Sequence, residues 1–476
     1  MSQMQARPWL LIAALMYVET IAAFETSMIY GAIGLLYHQI GDAVLVGWII
    51  TIYMLVSACL TPLIARLGDL YGRRMMLALV LFVVTIGSIV SALSPNIQGL
   101  LIGRGLQGLG GSILPLCLGL LREHTEPRHQ TMGSGFVAAT ASIATGVGVL
   151  VGGLIADHMP WHLMFTFAAI ASTIAIGVSI VAIPRSRAAK PLGGLDLLGG
   201  MLMIPMIAGC LFAIGQIKYW GIGDPRIAAL IGGAMLIGMV WFWHEWRRPY
   251  PLIDVRLLGN PQVLLANLVM IISAYGVFQV GPFMSMLLQQ TPAAGSGFGL
   301  SATLSGTIMF GAQLMALFGG TATGFVANRR GARRALQAGA LIAALGWVGM
   351  ALGQDHLGLL VSMLLLQSVG SVMILGATPL VLAESVPLDR TSEANGVTAV
   401  LRQANFAVAT QLCAFLLSTQ SVSVNGSNYP APSAVGLTFA VLASATVIGF
   451  LVSLTLPRSG RKPTASSVPI LNAAAR

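Results

Sequence analysis

The chain has 476 residues, of which 56% are hydrophobic and 8% are charged, and its mean hydropathy is +0.85. Soluble domains carry about 25% charged residues, so this composition excludes a soluble protein and indicates one that lies within a bilayer. The net charge of +10 does not indicate nucleic-acid binding, because the basic residues are spread over many loops instead of forming one patch.

Apolar segments of about 20 residues recur along the chain and predict fourteen membrane-spanning helices, and therefore an all-α membrane protein. The predicted spans are 9–32, 44–65, 75–93, 97–121, 131–156, 161–183, 197–217, 227–246, 263–288, 302–327, 335–352, 357–383, 394–417 and 435–456. The first segment has no convincing cleavage site, so we predict a retained span and not a signal peptide.

The distribution of Lys and Arg predicts the orientation of these spans. With the N-terminus inside the cell, 21 of the 25 basic residues fall in cytoplasmic segments, and only Lys218 and Arg226 fall outside. Arg104 and Arg402 lie within spans. Because basic residues favour the cytoplasmic side, the sequence predicts that both termini are cytoplasmic.

A short motif occurs twice. Residues 65–74 (ARLGDLYGRR) follow the second span and residues 324–334 (GFVANRRGARR) follow the tenth, with an acid or amide, a glycine and closing arginines in register. An offset of eight spans fits two six-span bundles with two extra spans between them. The predicted regions are a bundle in 1–190, a two-span insert in 191–256, a bundle in 257–457 and a cytoplasmic tail in 458–476. Repeated halves are typical of secondary transporters, whose substrate site lies between them.

The segment 65–74 resembles the loop motif GxLxDxxGRR of the major facilitator superfamily, and fourteen spans are typical of one drug:proton antiporter branch of that family. Residues 104–111 (RGLQGLGG) resemble that branch's RxxQGxG motif, and 148–153 (GVLVGG) its GPxxGG motif. Residues 161–165 (WHLMF) are similar to WRWxF, and 24–29 (FETSMI) stand where the family carries LDxTIV. The chain departs from these motifs at Glu25, Ala65, Val149 and Asn328. The resemblance covers essentially the whole chain and implies the major facilitator fold.

Four residues of the first motif are candidates for conformational gating: Asp69, Gly72, Arg73 and Arg74. Gly72 permits backbone conformations that other residues avoid, and the arginines suit the negative inner membrane surface. An ordinary turn on the cytoplasmic side would account for the charges of this motif. The repeated register favours a latch in which Asp69 contacts a helix end or an arginine in one state only. The resemblance implies the same role.

Small residues recur every four positions in two spans. They are Thr140, Ala144, Gly148 and Gly152 in the fifth span, and Ala312, Ala316, Gly320 and Gly324 in the tenth. Such stripes let helices approach closely, either as static packing or as a surface that moves. The resemblance implies that these spans meet between the two bundles, so Gly148, Gly152 and Gly153 are also gating candidates.

Three charged residues within spans are candidates for proton coupling: Glu19, Glu25 and Arg104. Arg104 lies about seven residues, or ~10 Å, into its span, and Glu25 lies at nearly the same depth. We predict that they interact directly or through water, either as a permanent bridge or as a pair that changes when Glu25 is protonated. Glu19 lies about 120° around the helix from Glu25, so both cannot face one point. It is a second candidate proton carrier, a cavity acid or a structural glutamate.

Six residues are candidates for the substrate cavity: Tyr17, Tyr30, Gln107, Tyr275, Gln279 and Arg402. Aromatic and amide side chains suit an adaptable apolar cavity, although such residues also occur in cores and against lipid. The sequence offers no acidic partner for Arg402. It either binds an anionic substrate or reaches an interface by snorkelling.

Together these patterns predict a proton-coupled secondary transporter of the multidrug efflux type, which exports amphipathic or cationic small molecules by alternating access across the bacterial inner membrane. Two alternatives keep the fold: export of one endogenous metabolite such as a siderophore, and proton-coupled uptake. The sequence has no HExxH or GxSxG motif, and its four cysteines lie in apolar runs without zinc or disulfide spacing, so a membrane enzyme or receptor is not supported.

We expect no cofactor and no metal, with protons as the coupling ion. The expected partners are a small-molecule substrate and the lipid bilayer, without nucleic acid. We expect a monomer, with an adaptor protein as an alternative.

Overall fold

The chain folds almost entirely into helices. The computed structural model describes residues 8–186, 196–249, 251–386, 391–424 and 427–457, so the predicted tail 458–476 lies outside the described residues. The helices are α1 Pro8–Gly31, α2 Ile33–Ile40, α3 Ala43–Tyr71, α4 Arg73–Leu93, α5 Ile97–Gln107, α6 Ile113–His124, α7 Pro127–His158, α8 Leu163–Ala182, α9 Leu197–Trp220, α10 Pro225–Arg247, α11 Pro261–Gln289, α12 Ala302–Arg330, α13 Ala332–Leu352, α14 Leu357–Ser385, α15 Thr391–Ser418 and α16 Pro432–Leu454. Two strands, β1 Ser421–Val424 and β2 Ser427–Pro430, pair antiparallel.

Fourteen helical segments in the described ranges are long and apolar enough to cross a membrane, which confirms the predicted number. α5 and α6 together form the fourth of these segments, and α2 continues beyond the end of the first. Helices suit this environment because they satisfy their backbone polar groups internally.

The fourth span is interrupted by a 3-10 helix, Gly108–Ser112, where the sequence predicts one uninterrupted span. Gly108 lies close to α3, where an added Cβ would sit 2.6 Å from the Tyr53 carbonyl oxygen. Glycine at this position therefore allows close approach of the two backbones.

The packing of the helices repeats between the first six spans (α1–α8) and the last six (α11–α16). α4 packs against α5 and α8 in the first set, and α13 packs against α14 and α16 in the second. Between the sets, α3 packs against α15, and α7 packs against α12. Span two of each set thus meets span five of the other, a reciprocal arrangement that matches the eight-span offset of the sequence repeat.

The two copies of the loop motif form the same turn. Gly72 joins α3 to α4 with φ +99°, and Gly331 joins α12 to α13 with φ +87°. Both values lie in a region that residues with a Cβ rarely adopt. The backbone conformation of the turn therefore explains why both copies of the motif have glycine at this position.

The two extra helices lie on the outside of the α3–α15 contact. α9 packs against α3 and α15, and α10 packs against α9. Asp42 precedes α3 and binds Lys218 at 2.9 Å and the Tyr219 hydroxyl at 2.6 Å. Burial opposes ionisation of Asp42, but these partners and the Val44 backbone amide outweigh it and hold its pKa below the usual range. At the other end of α9, His244 lies 3.0 Å from Asp196.

The first and last six spans are joined at one end, which we call the closed end. The Gln289 side chain donates to the Gly31 carbonyl at 3.0 Å and accepts from the Gly34 amide at 3.0 Å. Gln289 therefore satisfies backbone groups that are freed where α1 gives way to α2. Nearby, the Asp157 carboxylate of α7 accepts from the first two amides of α12, at 3.0 and 2.7 Å.

Contacts between the two sets extend from the closed end to the middle of α3 and α15. Thr51 donates to Gln411 at 3.2 Å, and Gln403 donates to Ser57 at 2.9 Å. Beyond that level α7 and α12 are no longer in close contact: a Cβ added at Gly146 of α7 would lie 2.8 Å from Phe310 of α12, whereas one added at Gly135 of α7 or Gly324 of α12 would meet no atom within 4 Å. The sets are thus held together at the closed end and separate toward the end that carries Gly72 and Gly331, which we call the open end.

Candidate proton and substrate site

Arg104 occupies the centre of a buried polar cluster. Its guanidinium donates to the Ile49 carbonyl at 3.1 Å, to the Glu25 carbonyl at 2.8 Å and to the Gln107 side chain at 3.0 Å. The Tyr53 ring lies 4.7 Å from the guanidinium carbon, which adds a cation–π contact. Arg104 has no exposed surface. The cluster therefore compensates part of the cost of burying this cation, although Nη2 has no hydrogen-bond partner among the described residues.

The Glu25 carboxyl belongs to the same cluster but does not pair directly with Arg104. Its Oε1 accepts from the Ser88 hydroxyl at 2.7 Å, and Ser88 in turn accepts from Gln107 at 2.8 Å. Within the described residues, no ion pair joins Glu25 to Arg104, and Glu25 Oε2 has no hydrogen-bond partner. The predicted interaction of the two residues is therefore indirect. Arg104 binds the Glu25 backbone carbonyl, and Gln107 and Ser88 connect its guanidinium to the Glu25 carboxyl.

Glu19 lies apart from this cluster. It is 5% exposed, lies on α1 between residues of an apolar cluster that α1 forms with α6 (Leu15, Val18 and Ala22), and its Oε2 has no hydrogen-bond partner among the described residues. The predicted angular separation of the two acids therefore corresponds to two different environments, one polar and one apolar. A carboxyl group in an apolar environment is costly when ionised.

The six predicted cavity residues do not form one site. Tyr17 donates to the Ala171 carbonyl of α8 at 3.1 Å, within the first six spans, and Gln107 is part of the Arg104 cluster. Tyr30 packs across the two sets against Gly281, where a Cβ would lie 3.0 Å from the ring. These three residues therefore contribute to packing contacts more directly than to an open cavity.

The other three predicted residues lie on α11 and α15. Gln279 is buried, donates to Thr410 at 3.1 Å and lines a small cavity with Cys413 and other residues between the two sets near the closed end. Tyr275 and Arg402 are half-buried, and Arg402 makes no hydrogen bond or ion pair with any residue that the structure describes.

The small-residue stripe of α7 faces a different neighbour from the one expected. A Cβ at Gly148 would clash with Ser27, and one at Gly152 would clash with the Met28 carbonyl, so these glycines pack α7 against α1. Gly153 is next to the Ala302 carbonyl of α12. The expectation that the fifth and tenth spans meet is confirmed, since α7 packs against α12, but Gly148 and Gly152 lie on the side of α7 that packs on α1. A four-residue period defines a helix face but not its neighbour.

The gating candidates of the first loop motif interact among themselves. Arg73 binds Asp69 at 2.8 Å and the Gly119 carbonyl at 3.1 Å, and lies 3.6 Å from Glu123. The Arg74 backbone amide, in the first turn of α4, donates to the Ser186 hydroxyl at 3.1 Å. All these contacts stay within the first six spans and the residues that follow them, at the end where the two sets separate.

Several residues of this arrangement were not singled out from the sequence. They are Ser57, Ser88, Asp157, Gln289, Gln403 and Gln411. Asp157 is an acid close to the end of a predicted span, which is a usable signal for a helix-end contact. Serines are common in these spans, so nothing in the sequence distinguishes Ser88.

Comparison with known proteins places the chain in a family. A family model described as Major Facilitator Superfamily matches residues 15–410. The tetracenomycin C resistance and export protein of Streptomyces glaucescens is 23% identical over 427 residues, which cover 88% of this chain and 78% of that protein. A multidrug resistance protein B homolog of Mycobacterium tuberculosis (strain CDC 1551 / Oshkosh) is 28% identical over 390 residues, covering 79% and 69%.

The fold is also found in solved structures. A bacterial homolog of the human lysosomal transporter Spinster, in an inward-facing and unoccupied conformation, matches with a TM-score of 0.66 at 14% identity, covering 97% of this chain and all of that one. The fourteen apolar helices, the repeated halves and the family match agree. The chain therefore belongs to the Major Facilitator Superfamily and is a multi-pass membrane transporter.

Proposed function

We propose that this protein is a proton-coupled secondary transporter that exports amphipathic or cationic small molecules by alternating access. The names of two relatives refer to drug resistance, and one of these also refers to export. Two helix sets that are joined at one end and separate at the other provide the geometry that alternating access requires. The regions 1–190 and 257–457 would then move as two bodies, with 191–256 alongside.

The observation that carries proton coupling is the Glu25 carboxyl. It is fully buried, it accepts one hydrogen bond through Oε1, and Oε2 has no partner in the described part of the chain. An ionised carboxylate in this position would have one oxygen without a hydrogen bond, which is costly in a buried site, whereas a proton on Oε2 removes the charge. Arg104 holds the Glu25 backbone in place. Binding or release of the proton therefore changes the hydrogen bonds that link the Glu25 carboxyl of α1 to Ser88 of α4 and Gln107 of α5.

Orientation follows from the positive-inside bias. With both termini cytoplasmic, the end that carries Gly72 and Gly331 faces the cytoplasm, and the closed end faces outward. In a bacterium the protein would lie in the inner membrane. Asp69 and its arginine partners would hold the cytoplasmic end closed in the opposite state, and the single chain would be the working unit.

The test measures proton movement in everted membrane vesicles. A respiration-generated gradient, acid inside, is followed with a quenched acridine dye while a panel of amphipathic compounds is added. An antiporter is expected to release protons and restore fluorescence with at least one compound, because cargo enters the vesicle as protons leave.

Vesicles from cells that lack the protein are the control. No protein-dependent proton movement with any member of a broad panel would contradict proton coupling. Proton release accompanied by cargo leaving the everted vesicle would instead indicate the uptake direction. The panel should include a siderophore, so that export of one endogenous metabolite is tested in the same assay.

A further inference from the structure

We propose that Arg402 binds an anionic group of the cargo, and that the cargo class is amphipathic organic anions with an aromatic or apolar body. This inference rests on the proposed function, because it treats the space between the two helix sets as the path of the cargo. Within the amphipathic or cationic molecules of the proposed function, it selects the amphipathic ones that carry a negative charge.

Charge accessibility is the first reason. Four Asp, Glu, Lys or Arg side chains lie in the middle of the described spans: Glu19, Glu25, Arg104 and Arg402. The first three are 5%, 0% and 0% exposed, whereas Arg402 is half-buried and keeps accessible surface. Both acids are enclosed in the wall of the first six spans. The charge that a molecule between the two sets would meet is therefore positive.

The direction of Arg402 on α15 is the second reason. Gln403 points to Ser57 of α3, and Asn405 donates to a backbone carbonyl of α11 at 2.7 Å. At ~100° per residue, Arg402 lies about 100° from Gln403 and about 60° from Asn405, between these two directions. Phe406, about 40° from Arg402, also contacts α11, and Gln411, which touches α9 and accepts from Thr51 of α3, is about 180° away. Arg402 thus lies on the face of α15 that is turned toward α11, and opposite the face that touches α9.

Its level in the molecule is the third reason. The hydrogen bond between Gln403 and Ser57 joins the middle of α15 to the middle of α3. Arg402 is the neighbour of Gln403 and therefore lies at this level, farther from the closed end than the hydrogen bond between Thr51 and Gln411. A molecule that enters from the end opposite the closed end would reach Arg402 before it reached that bond.

The lack of a partner is the fourth reason. A guanidinium carries five N–H donors, and Arg402 donates none of them to a residue that the structure describes. An arginine at this depth is costly unless it is paired or faces water. A carboxylate, sulfonate or phenolate would supply acceptors, and a carboxylate matches the guanidinium in a two-bond geometry.

The neighbouring aromatic rings indicate the rest of the cargo. Phe406 lies one helical turn after Arg402 and stacks on Phe278 of α11, with ring centroids 4.6 Å apart and planes 15° apart. Tyr275 lies one turn before Phe278 and is half-buried. An aromatic body packed beside these rings, with its acid at Arg402, would satisfy both parts of the surface. A cation in the same position would be repelled by Arg402.

The test is equilibrium binding in lipid nanodiscs without a proton gradient, using 2-naphthoate and 2-naphthylmethylammonium as a pair with the same aromatic body. We expect the wild type to bind the anion at least tenfold more tightly than the cation. Arg402→Gln should lower the anion affinity at least tenfold, and Arg402→Lys should restore most of it. The control Arg329→Gln, which removes an exposed arginine over Phe325, should leave anion binding unchanged.

Equal affinities, no anion binding, or anion binding that Arg402→Gln does not reduce would overturn the inference. A second measurement uses the wild-type chain in case the variant does not fold: phenylglyoxal modification of Arg402, read by mass spectrometry, should be blocked by the anion and not by the cation. Equal blocking by both would also overturn it. Because neither measurement uses a proton gradient, charge-selective binding without coupled transport would remove only the proposed function.

Discussion

Arg104 donates a hydrogen bond to the backbone carbonyl of Glu25, at 2.8 Å, while the Glu25 carboxylate accepts from Ser88. The arginine therefore fixes the position of α1 whether or not the carboxyl carries a proton. The charge state of Glu25 instead affects the hydrogen bonds of Ser88 and Gln107. This separates a structural link, which persists, from a hydrogen-bond link that changes with protonation.

Replacement of Glu25 by Gln is expected to abolish proton-coupled transport and to leave the protein folded. Glutamine has nearly the same shape and can still accept from Ser88, but it has no titratable proton. Substrate-dependent proton release in everted vesicles should fall to the level of cells without the protein, while size-exclusion chromatography shows a wild-type elution volume.

Two further variants make this prediction specific. Glu25→Asp keeps a carboxyl group and should retain part of the flux, reduced because the shorter side chain no longer reaches Ser88 well. Glu19→Gln tests the other buried acid. If Glu25→Gln still transports with protons and Glu19→Gln does not, the proton carrier is Glu19 and the Arg104 cluster is not the coupling site.

Asp157→Ala is expected to weaken the closed end. The Asp157 carboxylate accepts from two amides at the start of α12, so one helix set caps a helix of the other. Loss of a helix cap costs roughly 1 kcal/mol, which corresponds to about a fivefold shift in population toward the state that is open at this end. Distances between spin labels across the closed end, measured by pulsed electron resonance, should show the longer population increase.

The matched control is Asp224→Ala. Asp224 also caps a helix, accepting from the Arg226 amide at 2.8 Å, but it caps α10 and does not join the two sets. Its replacement should leave the distance distribution unchanged. An equal shift in both variants would show that general loss of stability, and not the link between the sets, causes the effect.

Much of the fold was predictable because span length and charge are local properties of the sequence. The fourteen spans and the eight-span offset of the repeat could be read directly, and the offset agrees with the reciprocal packing of α3 on α15 and α7 on α12. The break after Gly31 was not predictable, because it depends on Gln289 from a distant helix. The antiparallel pairing of β1 and β2 was not anticipated either.

The candidate site was predictable in position and not in detail. The depth of Glu25 in α1 and of Arg104 in α5 predicted that the two residues lie close together, since the rise per residue of a helix is nearly constant. Which atoms pair depends on the rotation of each helix and on an intervening residue, here Ser88. Neither can be deduced from spacing along the sequence. The same reason explains the stripe in α7, where Gly152 packs on α1.

The small-residue stripes of α7 and α12 each contain a glycine near one end, and the two glycines, Gly152 and Gly324, lie in opposite environments. A Cβ at Gly152 would clash with the Met28 carbonyl oxygen and lie 3.1 Å from Met28 Cα, whereas a Cβ at Gly324 would meet nothing within 4 Å. Overpacking costs about 1–3 kcal/mol, and an alanine at an open helix position gains up to about 1 kcal/mol. Gly152→Ala should therefore lower the thermal unfolding midpoint in detergent, and Gly324→Ala should leave it unchanged or raise it. Wild-type stability of Gly152→Ala would contradict the close α1–α7 contact, and loss of transport in a stable Gly324→Ala would show that this face is used when the open end closes.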